Sequence, residues 1–292
     1  MSEGAAQGGR DAAAAMGPTI ASALAQARRQ GLERLDAQLL LARVLQRPRT
    51  WLLAHDEEAL TPAQQQAFAA WCRRRADGEP LAYLLGEREF HGLTLQVGPA
   101  VLVPRPDTET LVDWALELLR APLADEPEVA DLGTGSGAIA LAIKHRHPRA
   151  RVAGVERSLP ALEVAQANAA RLGLAVEWLS GDWWQPLAGR RFHLVASNPP
   201  YIAEADPHLR ALRHEPAEAL TPGADGLSAL ACVIAGAPGH LHAGGWLLLE
   251  HGQDQGDAVR RLLACAGFTA VATRCDLAGR PRCSGGHRPS PV

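Results

Sequence analysis

The sequence contains no uninterrupted apolar run of the roughly 18 residues that a membrane-spanning helix needs. Its first ten residues, from Met1 to Arg10, lack the basic start and the apolar stretch of a secretory signal. We therefore expect a cytoplasmic protein that does not act at a membrane.

The sequence also has few cysteines and no excess of positive charge. The five cysteines are Cys72, Cys232, Cys265, Cys275 and Cys283. Their odd number and the lack of any Cys-x-x-Cys spacing argue against a disulfide framework and a zinc knuckle, so we expect reduced thiols and no metal. The net charge is -3, which argues against a protein whose main task is to bind the nucleic-acid backbone.

The composition changes along the 292 residues and divides the chain into four parts. Residues 1–17 are rich in glycine and alanine without periodicity, which predicts a disordered segment. Residues 18–86 carry apolar side chains at helical spacing and predict a small all-helical domain. Residues 87–103 nearly alternate apolar and polar side chains and predict a β-hairpin linker. Residues 104–292 form the larger domain.

The larger domain alternates predicted strands with predicted helices. Strands are expected at 128–132, 151–156, 176–179, 192–197, 245–250 and 269–274, and helices at 107–120, 137–147 and 158–172. This alternation is typical of an α/β fold with a mostly parallel, doubly wound sheet of the Rossmann type.

A glycine-rich turn follows the first strand of this sheet and opens a helix. It reads Asp131-Leu132-Gly133-Thr134-Gly135-Ser136-Gly137. Glycines permit a tight turn and let backbone N–H groups approach a ligand. Glu156 ends the next strand, where a carboxylate can accept hydrogen bonds from ribose hydroxyls. Together they predict a nucleotide-like cofactor; the alternative is a glycine turn that only joins strand to helix.

Two cofactors fit this turn. The spacing Gly133-x-Gly135-x-x-Ala138 is compatible with the dinucleotide fingerprint. The preceding Asp131 and the additional Gly137 instead resemble the Asp-x-Gly-x-Gly-x-Gly pattern of S-adenosylmethionine-dependent methyltransferases. That resemblance implies that Asp182 accepts from the adenine amine and that Trp183 packs on the adenine ring, although a purely structural Trp183 is an alternative.

The fourth strand leads into Asn198-Pro199-Pro200-Tyr201, at the edge where open α/β sheets bind ligands. Asn and Tyr each occur only twice in the chain, so chance is a weak explanation of the motif. The Asn198 side-chain oxygen and the Pro199 carbonyl can accept both hydrogens of a planar nitrogen and aim it at a methyl donor. Tyr201 can pack on the flat group. The motif is typical of methyltransferases for adenine N6, cytosine N4 or glutamine amides; the alternative is a rigid turn.

The order of motifs along the chain indicates which of these three methyltransferase classes the sequence resembles. The chain contains, in sequence, Gly86-Glu87-Arg88-Glu89-Phe90, Pro104-Arg105-Pro106-Asp107-Thr108-Glu109, Asp131–Gly137, Asn198–Tyr201, Glu215-Pro216 and Leu248-Leu249-Glu250-His251-Gly252. With the helical domain, these motifs resemble the PrmC/HemK family of protein-(glutamine-N5) methyltransferases, from about residue 20 to about residue 280. One departure is the segment 282–292, which has little of the β-branched character expected of a last strand.

This resemblance implies methyl transfer from S-adenosylmethionine to the glutamine of a Gly-Gly-Gln loop in bacterial peptide chain release factors. It implies cofactor contacts for Gly133, Thr134, Gly135, Ser136, Gly137, Glu156, Asp182, Trp183 and Asn198, and catalytic and substrate-binding roles for Asn198, Pro199, Pro200 and Tyr201. We expect a monomer that docks the release factor on residues 18–86 and contacts no nucleic acid directly. The alternatives are an adenine-N6 nucleic-acid methyltransferase, which would need a basic face, and a cofactor-binding interaction protein without catalysis.

Other polar residues near these motifs give less specific expectations. Glu250-His251 could act as an acid–base pair, but methyl transfer to an amide gains little from a base, so a structural or substrate-shaping role is favoured. Arg105 and Glu109 lie four residues apart at a helix start, where they can pair with each other. The family resemblance implies that this segment borders the active site, so a role in shaping the glutamine pocket is the alternative. His145 and His147 do not share a helix face, which makes them poor metal ligands.

Overall fold

The computed structural model describes residues 17–120 and 124–290. The segment 1–17 that we predict to be disordered lies outside this part, apart from Gly17. The chain forms two compact units that divide after Leu85. Within the described residues, none of the helices is long and apolar enough to cross a membrane.

The first unit consists of helices. They are α1 (Ile20–Arg29), α2 (Arg34–Leu45), α3 (Arg49–Ala54), α4 (Pro62–Ala76) and α5 (Leu81–Leu85). The hydroxyl of Thr19 caps α1 by accepting from the backbone N–H of Ser22. Thr61 and Gln64 form a reciprocal capping box at the start of α4. The apolar faces of these helices bury a core of their own, which includes Leu40.

The second unit begins with a short antiparallel hairpin of β1 (Glu87–Phe90) and β2 (Leu93–Gln96). The expectation of a hairpin over 87–103 is therefore too long. After Gln96 the chain turns at Gly98-Pro99 and forms no strand up to residue 103. Proline has no N–H to donate to a strand ladder, which accounts for the early end of the pairing.

A seven-stranded sheet with helices forms the rest of this unit. In chain order its elements are α6 (Glu109–Leu119), β3 (Glu128–Leu132), α7 (Ala138–Arg146), β4 (Arg151–Glu156), α8 (Leu159–Leu172), β5 (Glu177–Ser180), β6 (Phe192–Ser197), α9 (Ser228–His240), β7 (Leu241–Glu250), α10 (Gly256–Cys265), β8 (Thr269–Cys275) and β9 (Pro281–His287). The strand order is β5-β4-β3-β6-β7-β9-β8, with β9 antiparallel to both its neighbours and the other pairs parallel. The predicted α/β class is confirmed.

The strand order reverses between β3 and β6. The chain proceeds from β3 to β4 and β5 on one side, and then returns to β6 and β7 on the other. Leu132 at the end of β3 is in register with Val155 of β4 and with Ser197 of β6. The segments that follow these three strands therefore meet at one edge of the sheet, which is the ligand-binding edge of open α/β folds.

Strand β9 is the largest difference from the sequence-based expectation. It has almost no β-forming residues, yet it lies between β7 and β8. A Cβ atom at Gly285 would lie 2.5 Å from Cδ2 of Leu248, and one at Gly286 would lie 2.8 Å from Cβ of Phe268. Backbone pairing and close packing, which only glycine permits here, place this strand despite its low β propensity.

Candidate active site

The glycine-rich turn between β3 and α7 is held by hydrogen bonds to β4. The backbone N–H groups of Gly133 and Thr134 both donate to the carbonyl oxygen of Val155, at 2.9 and 3.0 Å. Gly133, Gly135 and Gly137 have φ angles of 70°, 54° and 83°, in the left-handed region that favours glycine. The turn therefore needs glycine for its backbone conformation.

The carboxylate of Asp131 connects this turn to α7. Its Oδ2 accepts hydrogen bonds from the Thr134 hydroxyl at 2.5 Å and from the backbone N–H of Ala140 at 3.1 Å. Its Oδ1 is buried and has no hydrogen-bond partner among the described residues. Burial raises the pKa of Asp131 to about 7. An unpaired buried acceptor is costly, and Asp131 lies directly behind the turn that borders the cleft.

Glu156 ends β4 and is fixed between the turn and α8. Its Oε2 accepts from the backbone N–H of Gly135 at 2.9 Å, and its Oε1 accepts from that of Ser158, also at 2.9 Å. A carboxylate has further lone pairs on both oxygens, so Glu156 can still accept hydrogen bonds from a pair of ribose hydroxyls.

Asp182 and Trp183 follow β5 at the same edge. Trp183 has a φ of 44°, which is rare for a bulky side chain and marks backbone strain. Its ring lies against Gly133, where a Cβ atom would be 3.4 Å from the indole Cζ3. The indole is thus within van der Waals distance of the turn at Gly133. Asp182 is exposed and lines the cleft beside it.

The Asn198–Tyr201 motif begins directly after β6 and is held by several side chains. The Asn198 amide Nδ2 donates to the Thr108 hydroxyl oxygen at 3.3 Å. The Tyr201 hydroxyl donates to Oε1 of Glu250 at 3.1 Å, and the Tyr201 carbonyl accepts from Nε2 of Gln255 at 3.0 Å. Burial raises the pKa of Tyr201, so its hydroxyl stays protonated at neutral pH.

Glu250 and His251 do not act on each other as an acid–base pair. The His251 Nδ1 lies 2.8 Å from the Gly252 carbonyl oxygen, and its Nε2 lies 2.8 Å from the Ser284 hydroxyl. Burial lowers the pKa of His251, which favours the neutral ring. The neutral ring then donates from Nδ1 and accepts at Nε2, so both nitrogens are used in structural bonds.

These segments line one cleft of about 690 Å³, part of which is open to solvent. Of the predicted site residues, the lining includes Gly133, Gly135, Glu156, Asp182, Trp183, Asn198 and Pro200. Thr134, Ser136, Gly137, Pro199 and Tyr201 are not among its lining residues; Thr134, Ser136 and Tyr201 bond instead to Asp131, Asn168 and Glu250. The structure thus brings the glycine turn, the acidic residue and the Asn-Pro-Pro segment to one space.

Two further segments, 100–102 and 216–219, form part of the cleft wall. They are joined through Glu215, whose buried carboxylate pairs with the Arg105 guanidinium and accepts from the backbone N–H of Val103 at 3.0 Å. The expected pairing of Arg105 with Glu109 is therefore wrong; Glu109 accepts from the backbone N–H of His91 at 3.0 Å. The buried Glu215 carboxylate requires a cation nearby, whereas the half-buried Glu109 bonds to a backbone N–H instead.

Among the residues that the structure describes, Glu128, His193 and His242 form the one group that could hold a metal ion. They lie at the amino ends of β3, β6 and β7, at the opposite end of these strands from the cleft. The His193 Nδ1 accepts from the backbone N–H of Glu128 at 3.1 Å. In the neutral ring this places the proton on Nε2, so His193 has no free lone pair to offer a metal.

Sequence reasoning assigned no role to several residues that hold the motif. Thr108 belongs to the Pro104–Glu109 motif, but only the structure places it against Asn198. Gln255 also accepts from the backbone N–H of Gly252 at 2.8 Å, and so connects the Glu250–Gly252 segment to Tyr201. The contacts of Thr108 with Asn198 and of Gln255 with Tyr201 join residues more than 50 positions apart, and no local pattern in a single sequence indicates them.

Comparisons with known proteins cover both units. Residues 19–86 match the model of the PrmC N-terminal domain family, and residues 108–225 match that of the methyltransferase small domain family. The chain is 50% identical over 270 residues to the release factor glutamine methyltransferase of Xylella fastidiosa (strain Temecula1), which covers 91% of this chain and 98% of the relative. The protein of the same name from Bordetella pertussis is 51% identical over 260 residues, which covers 88% of this chain and 96% of the relative. The one from Escherichia coli (strain K12) is 43% identical over 267 residues, which covers 90% of this chain and 95% of the relative.

Two solved structures share the fold. A methyltransferase from Pyrococcus furiosus aligns with a TM-score of 0.51 at 17% identity, over 68% of this chain and 90% of that chain. The 16S rRNA N2 G1207 methyltransferase of T. thermophilus, solved with AdoMet and guanosine, aligns with a TM-score of 0.51 at 21% identity, over 69% of this chain and 49% of that chain. At these identities the likeness concerns the fold alone.

Proposed function

The chain belongs to the family of release factor glutamine methyltransferases, and we propose that it transfers a methyl group from S-adenosylmethionine to the side-chain amide nitrogen of the glutamine in a Gly-Gly-Gln loop. It is an enzyme, and its substrate is a release factor.

The residues of the cleft fit S-adenosylmethionine by their chemistry. The Glu156 carboxylate suits two ribose hydroxyls, and the Trp183 indole offers a flat apolar face for the adenine ring. Gly133 and Gly135 present backbone without side chains, so the amino-acid end of the ligand can approach the turn closely. The unpaired Oδ1 of Asp131 provides a buried acceptor behind that turn.

The Asn-Pro-Pro segment fits the acceptor side of the reaction. We assign one N–H of the glutamine amide to the Asn198 Oδ1 and the other to the Pro199 carbonyl, because a planar amide needs two acceptors in its own plane. Holding both hydrogens orients the nitrogen and favours the positive charge that develops on it. When bound, the sulfonium of the cofactor supplies an electrophilic methyl group, so no residue has to form a covalent intermediate.

One observation carries this proposal. Asn198 and Pro200 line the same cleft as Gly133, Gly135 and Glu156, so the acceptor motif and the cofactor motif face one space. A motif that served only as a rigid turn would not have to lie there. The adenine-N6 alternative has no comparable support, because the net charge is -3 and the relatives that span nearly the whole chain act on release factors by name.

The test is methyl transfer from labelled S-adenosylmethionine to a recombinant release factor, followed by peptide mass mapping. We expect one added methyl group on the glutamine of Gly-Gly-Gln in the parent enzyme. Asn198→Ala should lower kcat by about 10²–10³, the usual effect of removing one group that stabilises a developing charge. Methylation of a DNA duplex in place of the release factor, or of a different residue, would contradict the proposal.

A further inference from the structure

One of the two asparagines in the chain, Asn168, lies on α8 and does not line the cleft. It is fully buried, with none of its surface exposed. Its Oδ1 accepts from the backbone N–H of Gln96 at 2.6 Å. Its Nδ2 donates to the carbonyl oxygens of Gln96 and Ser136, both at 3.0 Å. One buried side chain therefore joins the end of β2 to the glycine-rich turn.

These contacts fix the orientation of the Asn168 amide. A side-chain amide has one oxygen that accepts and one NH₂ group with two protons to donate. Gln96 presents an N–H and a carbonyl, and Ser136 presents a second carbonyl, so the amide oxygen and both protons are used. The reversed amide would place its oxygen against two carbonyls and its NH₂ group against an N–H. Asparagine thus fits this position by the number and the direction of its bonds.

Helix α8 also packs directly on the end of the turn to which Asn168 bonds. A Cβ atom at Gly137 would lie 3.3 Å from Cβ of Ala165, which lies on the same face of α8, almost one helical turn before Asn168. The first half of the turn, 133–135, is held by β4, whereas the Ser136 carbonyl is held by α8. The two halves of the turn therefore have separate supports.

We propose that Asn168 is a positioning residue for the cofactor-binding turn. It acts through Ser136, whose neighbour Gly135 lines the cleft. A turn with three glycines loses much conformational entropy when it becomes ordered, and a bond that orders it before the ligand arrives lowers the cost of binding. The inference rests on the proposed function, in which this turn receives the amino-acid end of S-adenosylmethionine.

Two substitutions remove this support in different ways. Asn168→Asp keeps the shape and the acceptor for Gln96, but the carboxylate has no proton to donate to the Ser136 carbonyl. Asn168→Ala removes all three bonds and leaves a polar space that a water molecule can occupy. Arg171→Ala is the matched control, because Arg171 lies on the same helix and donates to the Thr94 carbonyl of the same strand instead of to the turn. Thermal unfolding identifies any variant that is not folded.

Calorimetric titration and steady-state kinetics give the first readout. For both Asn168 variants we expect the Kd and the KM for S-adenosylmethionine to rise by about tenfold, the usual effect of losing one buried hydrogen bond. The kcat at saturating cofactor and the KM for the release factor should stay within about threefold of the parent, because the groups that contact the acceptor are unchanged. Arg171→Ala should equal the parent.

Three results of these measurements would overturn the inference alone. They are a parent-like Kd in a folded Asn168→Asp variant, a fall in kcat in place of the rise in Kd, and an equal loss of affinity in Arg171→Ala. A parent enzyme that bound no S-adenosylmethionine would overturn the proposed function together with the inference.

A second readout needs no variant at Asn168. By thermodynamic linkage, a bond that strengthens cofactor binding is itself strengthened by the bound cofactor, and by the same factor. Labelling with ¹⁵N-asparagine yields two side-chain NH₂ signals, and the signal that persists in Asn198→Ala belongs to Asn168. We expect saturating S-adenosylmethionine to slow hydrogen exchange of this NH₂ group by about tenfold more than that of a reference group. The reference is the backbone amides of the buried Leu247 and Leu248 in β7, which report global opening. Equal slowing at both places, or none at Asn168, would overturn the proposal.

Discussion

The carboxylate of Glu156 accepts a hydrogen bond from the backbone N–H of Gly135, and this bond joins the end of β4 to the glycine-rich turn that follows β3. The acid is thus held in place by the protein itself. Each oxygen has lone-pair capacity left for a ligand in the cleft that Glu156 lines.

Replacement of this acid should weaken cofactor binding. Glu156→Ala removes the acceptor for the ribose hydroxyls, and we expect a loss of about 1–3 kcal/mol in the binding free energy of S-adenosylmethionine. Calorimetric titration measures this loss. Glu163→Ala, on the exposed face of α8, is the control and should bind like the parent. Equal affinities of a folded Glu156→Ala variant and the parent would remove Glu156 from the site.

Asp131 should make stability depend on pH. Its pKa is about 7 in the folded protein against an ordinary 3.8, so between pH 4 and pH 7 the folded state holds more protons than the unfolded state. The free energy of unfolding therefore falls as pH rises through this window. Asp131→Asn carries no charge, and its stability relative to the parent should increase from pH 4 to pH 7 by on the order of a few kcal/mol.

Urea unfolding at several pH values measures this difference. Asp125→Asn changes an exposed carboxylate and should track the parent at every pH. If the free energy of unfolding depends on pH in the same way for Asp131→Asn and the parent, the pKa of Asp131 is not raised in the folded protein.

Gly285 in β9 should not tolerate a side chain. The Cβ atom of Gly285→Ala would overlap the Leu248 side chain, and we expect a loss of about 1–3 kcal/mol in unfolding free energy. Gly239→Ala, at the end of α9, meets no atom within 4 Å and should change stability by less than about 1 kcal/mol. Equal thermal midpoints for the two variants would contradict the packing seen around β9.

The second unit should bind the cofactor without the first. All residues that line the cleft come from residues 100–219, so a chain that starts at Gly86 should keep the parent affinity for S-adenosylmethionine. We expect it to methylate a whole release factor poorly, because an isolated glutamine side chain offers little for discrimination and remote contacts must position it. A folded truncated enzyme that methylates the release factor at the parent rate would exclude a docking role for residues 18–86.

The fold was predictable where local patterns and fold rules agree. Strands β3, β4 and β6 show clear apolar runs, and the motifs at their ends identified the ligand-binding edge. Helix α9 was not predicted, since it is apolar on all sides and contains Gly236 and Pro238. The residues behind the motif, such as Thr108 and Gln255, were not assigned because their contacts depend on how distant segments pack.

The position of β9 has a consequence for how the protein acquires its final form. β9 follows β8 in the chain but inserts between β8 and β7, so β8 has no partner in the sheet until residues 281–287 arrive. Until then, the edge of β7 is open to pairing with other chains. Arg282 lies on this strand and pairs with Asp107 at 3.1 Å, so this ion pair also requires residues 281–287 to be in place. A chain that lacks this segment would thus have neither the antiparallel partner of β7 and β8 nor the contact with Asp107.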